Sequence, residues 1–79
     1  MTKNTSKFLN DFKREFDKMN MNERHSFVRG ILQVLQRGNP DAQYLGHDGF
    51  EDAGILLGKK SLRMAGDDPK LKELLFAFE

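Results

Sequence analysis

The sequence has no cysteine and no tryptophan, only two prolines, and no apolar run approaching the ~20 residues of a membrane span. Each absence excludes something. Without cysteine there is no disulfide scaffold, no thiolate zinc site and no cysteine nucleophile. The chain is therefore held by packing, alone or with a partner. Residues 1–7, MTKNTSK, lack the apolar stretch of a secretory signal, so a cytoplasmic address is expected. Neither charge dominates: 13 Lys and Arg stand against 12 Asp and Glu, a net charge of +1. A nucleic-acid mimic needs an acidic excess and a nucleic-acid binder usually has a basic one. Either activity would require segregation of charge within a neutral total. Strand patterning is also missing, because β-branched residues are few and apolar/polar alternation is not sustained.

What remains is a stock of core residues. Val, Ile, Leu and Phe make up 21 of the 79 residues, seven of them Phe, enough for one core and one domain over 1–79. A domain this small buries only about 60% of its unfolded surface, so its margin of stability is thin. The expected fold class is all-α: a small compact bundle of three to four short helices that self-associates, with residues 1–4 disordered.

Helical periodicity places the elements. Phe8, Leu9, Phe12, Phe16 and Met19 form a stripe that predicts a helix over 5–20, with Thr5 or Ser6 as N-cap. Phe27, Val28, Ile31, Leu32, Val34 and Leu35 predict a second helix over 22–37, with Asn22 as N-cap and Met21 as a staple before it. Gly38 followed by Asn39-Pro40 stops that helix. Residues 39–48 are a connection, with a helical turn expected at 41–45. Asp48 with Glu51 reads as a capping box opening a third helix over 49–65, stopped by Gly66. Asp68-Pro69 opens a fourth over 69–78, with Leu71, Leu74, Leu75 and Phe78 as its stripe.

The third helix is unlike the others. Gly54, Gly58, Ser61 and Ala65 fall within about 60° of its wheel, a strip of small residues. Each glycine inside a helix costs ~1 kcal/mol relative to alanine, which is tolerable where another backbone comes close. The phenylalanines of the first helix are the expected neighbours. Only Asp52, Lys59, Lys60 and Arg63 break an otherwise apolar surface. A helix of that kind is central in its own domain or shared with a second chain. Gly54, Gly58, Ser61 and Ala65 are accordingly expected to mediate a homodimer, or to receive a partner helix; the alternative is that Gly58 ends a shorter helix and the chain bends there.

Catalytic and cofactor patterns are weak. Gly54 to Ser61 has three residues between its glycines where a phosphate loop needs four, and a second lysine intervenes before the serine. His47 and Glu51 stand four apart, the spacing of two ligands on one helical face. Capping and the helix dipole already account for Asp48 and Glu51. His25-Ser26 lacks a third orienting group. Ala42 and Gly46 fit the first terms of a helix-turn-helix, but Pro40 interrupts its first helix and Asp52 occupies a core-facing position. No enzyme activity, cofactor or metal is expected.

Charge is arranged in blocks. Arg24, Arg29 and Arg37 lie on the second helix and Lys59, Lys60 and Arg63 on the third, while 41–52 is acidic. If the two polar faces align, six basic residues form one patch able to meet phosphates or an acidic protein surface. The expected partner-binding residues are Arg29, Arg37, Tyr44, His47, Lys59, Lys60 and Arg63. The expected function is a non-catalytic cytoplasmic protein-interaction module, an adaptor or inhibitor that binds and modulates another protein. The alternative is a small helical nucleic-acid-binding regulator using the basic faces of the second and third helices.

Overall fold

Among the described residues three α-helices follow one another: α1 (Lys3–Phe16), α2 (Met21–Arg37) and α3 (Gly49–Ala65). They are taken from a computed structural model that describes residues 3–65, 73 and 75–77. No strand occurs among the described residues. The fourth helix expected over 69–78 lies largely outside them. Of that segment, Glu73, Leu75 and Phe76 are helical, with Leu75 fully buried and Phe76 exposed. The described residues thus give three helices of the three to four expected. Gly66, the expected stop of α3, also lies outside the described residues.

α1 carries its apolar stripe at the expected positions. Phe8 and Phe12 are buried, and Leu9, Phe16 and Met19 pack beside them. The helix begins at Lys3 and ends at Phe16, so Thr5 and Ser6 lie inside it, and residues 3 and 4 are helical rather than disordered. Its C-terminal end is tied to α2 by Arg24. That guanidinium donates from Nε to the Phe16 carbonyl at 3.0 Å and lies 4.6 Å from the centre of the Phe16 ring. A cation at a helix C-terminus is favoured by the helix dipole.

α2 starts one residue earlier than expected, and its N-cap is Asn20, not Asn22. The Asn20 side chain accepts from the Glu23 N–H, and Glu23 Oε1 accepts from the Asn20 N–H, each at 2.9 Å. This is a full capping box. Met21 is the first helical residue and is exposed, so it is not a staple. At the other end Gly38 takes φ +67° and its N–H bonds the Val34 carbonyl, the left-handed cap that glycine adopts without strain. Replacing Asn20 with alanine is expected to cost about 1 kcal/mol. The melting temperature should fall by about 5 °C, as followed by circular dichroism.

α3 spans the expected residues and runs unbroken through Gly58. Its small-residue strip faces α2, not the α1 phenylalanines. A Cβ on Gly54 would collide with the Phe27 carbonyl oxygen, and one on Gly58 would lie 3.1 Å from both Ile31 O and Val34 Cβ. The contact is reciprocal, because a Cβ on Gly30 of α2 would collide with the Glu51 carbonyl oxygen. α2 and α3 are thus the principal pair of the bundle, with α1 lying more lightly on α3. Gly54, Gly58 and Ser61 are buried within one chain. Gly54 and Gly58, two of the four residues expected to join two copies, are covered by α2 of their own chain.

Residues 39–48 form an anchored loop without the helical turn expected at 41–45. Asn39 organises it: its side chain accepts from the Asp41 N–H, and its carbonyl accepts from the Tyr44 hydroxyl at 2.7 Å. Arg63 of α3 donates to the Pro40 carbonyl and lies 3.5 Å from Asp41 Oδ1. Asp52 Oδ1 accepts from the Gly46 N–H. The loop is held to α3 at both ends.

Candidate functional site

The α2–α3 crossing leaves three surfaces with distinct chemistry. The first is a groove between α1 and α3, about 340 Å³ in volume. Its lining includes Phe27, Ala53, Leu56 and Leu57, with Asp11, Arg14, Glu15 and Lys60 at its edges. Leu56 is 68% exposed, Ala53 and Phe50 are exposed, and Leu57 is half-buried. Positions 50, 53 and 57 share one face of α3. The strip face of α3 is spent on α2, whereas this neighbouring face keeps apolar side chains in solvent. Arg14 pairs with Asp11 at 3.0 Å and lies 3.7 Å from Glu15, so much of the charge around the groove is mutually neutralised.

The second surface surrounds Tyr44. The sequence is compatible equally with an exposed contact residue and with a buried anchor of the loop; Tyr44 is buried and its hydroxyl is spent on Asn39. Arg37 and Lys59 each lie 5.4 Å from the centre of its ring, within cation–π range. Tyr44 therefore positions two cations and is not itself an exposed contact residue. Arg29 stands further along α2 beside Gln33 and Gln36, where these residues and Arg37 border a shallow pocket.

The third surface is the N-terminus of α3. Asp48 Oδ1 accepts from the Glu51 N–H at 2.8 Å, and Asp48 Oδ2 accepts from the Ser26 hydroxyl at 2.9 Å. Asp48 thus caps α3 and ties it to α2. Only half of the expected capping box forms, because the Glu51 side chain turns inward instead of back to Asp48. Its Oε2 lies 3.2 Å from Nδ1 of exposed His47, and its Oε1 has no partner among the described residues. No group of three or more His, Asp or Glu side chains able to hold a metal occurs among the described residues. Ser26 is engaged with Asp48, so it is not paired with His25.

The two hydrogen bonds to Asp48, first from the Glu51 backbone and then from Ser26, hold its carboxyl below the ordinary value of 3.8. A group whose folded pKa is depressed stabilises the fold above its unfolded pKa. That contribution is lost as the pH falls through the folded value. Asp48→Ala is therefore expected to melt below the wild type at pH 7. The difference should shrink as the pH is taken from 4 toward 2, measured by thermal melts across that range.

The six basic residues do not form one patch. Arg24 is committed to the end of α1 and Lys60 lies in the α1–α3 groove. Arg63 is committed to Pro40 and Asp41. Arg29, Arg37 and Lys59 remain, gathered along the exposed side of α2 and around Tyr44. Sequence reasoning missed two participants. Gly30 was available as a glycine inside an otherwise strong helix, and Leu56 as an apolar residue off the small-residue strip. Comparison with protein families, curated proteins and solved structures gives no match. No helix among the described residues is long and apolar enough to cross a membrane.

Proposed function

We propose that this chain is a non-catalytic protein-interaction module of the cytoplasm, an adaptor or inhibitor that binds another protein and modulates it. The observation that carries this reading is the α1–α3 groove. Leu56 stands 68% exposed beside Ala53 and Leu57, over a floor reaching Phe27, with charged residues at the edge. An apolar centre with a polar rim is the anatomy of a protein interface, and exposed apolar side chains that cluster mark such sites more than isolated ones do. Self-association remains part of the proposal through this groove rather than through the small-residue strip.

The test places a photo-crosslinking amino acid at position 56, with position 25 on the exposed face of α2 as control. Irradiation in cells of the source organism is expected to give one discrete protein adduct from position 56 and none from position 25. Leu56→Glu should abolish binding of the captured protein without lowering the melting temperature. An adduct of doubled mass, with a matching dimer in a dilution series, identifies the partner as a second copy. Absence of any adduct from position 56 overturns the reading.

A further inference from the structure

The exposed side of α2 carries a second site, which shares no residue with the groove and does not depend on it. Arg29, Gln33, Gln36 and Arg37 stand at i, i+4, i+7 and i+8, so they share one helical face. With Leu32 they line a pocket of about 220 Å³. The lining is rich in hydrogen-bond donors: two guanidinium forks and two carboxamides, with no carboxylate among the described lining residues. Neither arginine has an ion pair among the described residues, whose salt bridges engage Arg14, Lys18, His47 and Arg63. Arg37 rests on the face of Tyr44, a contact that leaves its N–H edge free. Lys59 also lies 5.4 Å from the centre of the Tyr44 ring, outside the pocket lining. Like charges at one concave surface repel, and an anion entering between them relieves that repulsion.

We propose that this pocket binds a phosphate dianion, either free or as a monoester. Guanidinium forks match the paired oxygens of a phosphoryl group, and the carboxamides add neutral donors of adjustable direction. The arrangement suits one phosphoryl group rather than a nucleic-acid strand. A strand needs a row of cations to follow successive phosphates, whereas Arg24, Lys60 and Arg63 are placed or engaged elsewhere.

The test titrates the full chain with inorganic phosphate, with phenyl phosphate, with a short oligonucleotide, and with sodium chloride at matched ionic strength. It follows the arginine Nε–H and glutamine side-chain amide signals by nuclear magnetic resonance. Phosphate is expected to shift the signals of Arg29, Gln33, Gln36 and Arg37 saturably, and chloride is not. Arg29→Gln and Arg37→Gln should each weaken binding about tenfold, while Lys60→Gln leaves it unchanged. Affinity for phenyl phosphate should rise from about pH 5 to pH 7 as the monoester loses its second proton near pH 6. Inorganic phosphate binding as tightly as phenyl phosphate makes the free ion the ligand, and tighter binding of the ester makes it an esterified phosphate. Either result supports the site. A chloride-like response, the absence of saturation, or an oligonucleotide binding at least as tightly with loss on Lys60→Gln overturns it.

Discussion

Alanine at Gly54 is expected to destabilise the domain by about 3 kcal/mol, lowering its melting temperature on the order of 15 °C. Helix propensity alone predicts the opposite, since alanine is preferred to glycine inside a helix by ~1 kcal/mol. Packing reverses the sign. The added methyl would collide with the Phe27 carbonyl oxygen, a backbone atom locked inside α2 that has no rotamer by which to retreat. Relief requires α2 and α3 to separate, which loosens Ile31, Val34 and Ile55 together. Gly30→Ala meets the Glu51 carbonyl from the other side and should behave alike. Gly49→Ala is the control: nothing lies within 4 Å of its added methyl, and a gain of about 0.5 kcal/mol is expected. Denaturant melts of the three variants check the ordering. A Gly54→Ala protein as stable as the wild type would mean that the helices do not cross as closely as described.

The same crossing shows how far the sequence could be read. The span of α3 and the glycine cap of α2 were legible because both are local: a capping aspartate before the helix, and a glycine followed by Asn-Pro. The small-residue strip of α3 was legible as a surface needing a close neighbour, but periodicity on one helix does not name the helix that fills it. The identifying signal was Gly30, an interior glycine on α2 that pairs with the strip across the crossing. The N-cap of α2 was misplaced because the α1 stripe, continued through Met19, absorbed Asn20 into the preceding helix. The chain instead leaves helical geometry after Phe16, where Arg24 takes its carbonyl. Contacts between residues distant in sequence also decide the sites. Sequence alone leaves Tyr44 open between exposed contact and buried anchor, and the Asn39 carbonyl with Arg37 and Lys59 over the ring decides for the anchor. The six cations could form one patch only if the polar faces of α2 and α3 aligned, and Arg24, Lys60 and Arg63 have nearer partners or a different face. Leu56 lies off the strip that packs on α2 and stays exposed at the groove.

Truncating Phe27 to alanine is expected to cost about 3–5 kcal/mol, a large part of the ~4–12 kcal/mol available to a domain of this length. Phe27 is 1% exposed and touches both α1 and α3. Its ring lies 5.8 Å from that of Phe12, with the planes 13° apart, and Phe12 in turn stacks on Phe8 and Phe16. Its backbone carbonyl is the atom that faces Gly54, and its side chain lines the α1–α3 groove. Removing the ring leaves a void bordered by α1, which is the helix held most lightly to the rest, so the docking of α1 should be lost first. Amide hydrogen exchange resolves this order: protection should fall in α1 before it falls across the Gly30–Gly54 crossing. Phe50→Ala removes the same atoms from an exposed position of α3 and should change stability by no more than about 0.5 kcal/mol. The pair therefore separates the two roles of phenylalanine in this chain. If the groove is the interface, Phe27→Ala weakens partner binding through loss of its floor and its fold together, whereas Leu56→Glu weakens binding in a domain that melts normally. Equal melting temperatures for Phe27→Ala and Phe50→Ala would show that the aromatic stack does not join α1 to α2.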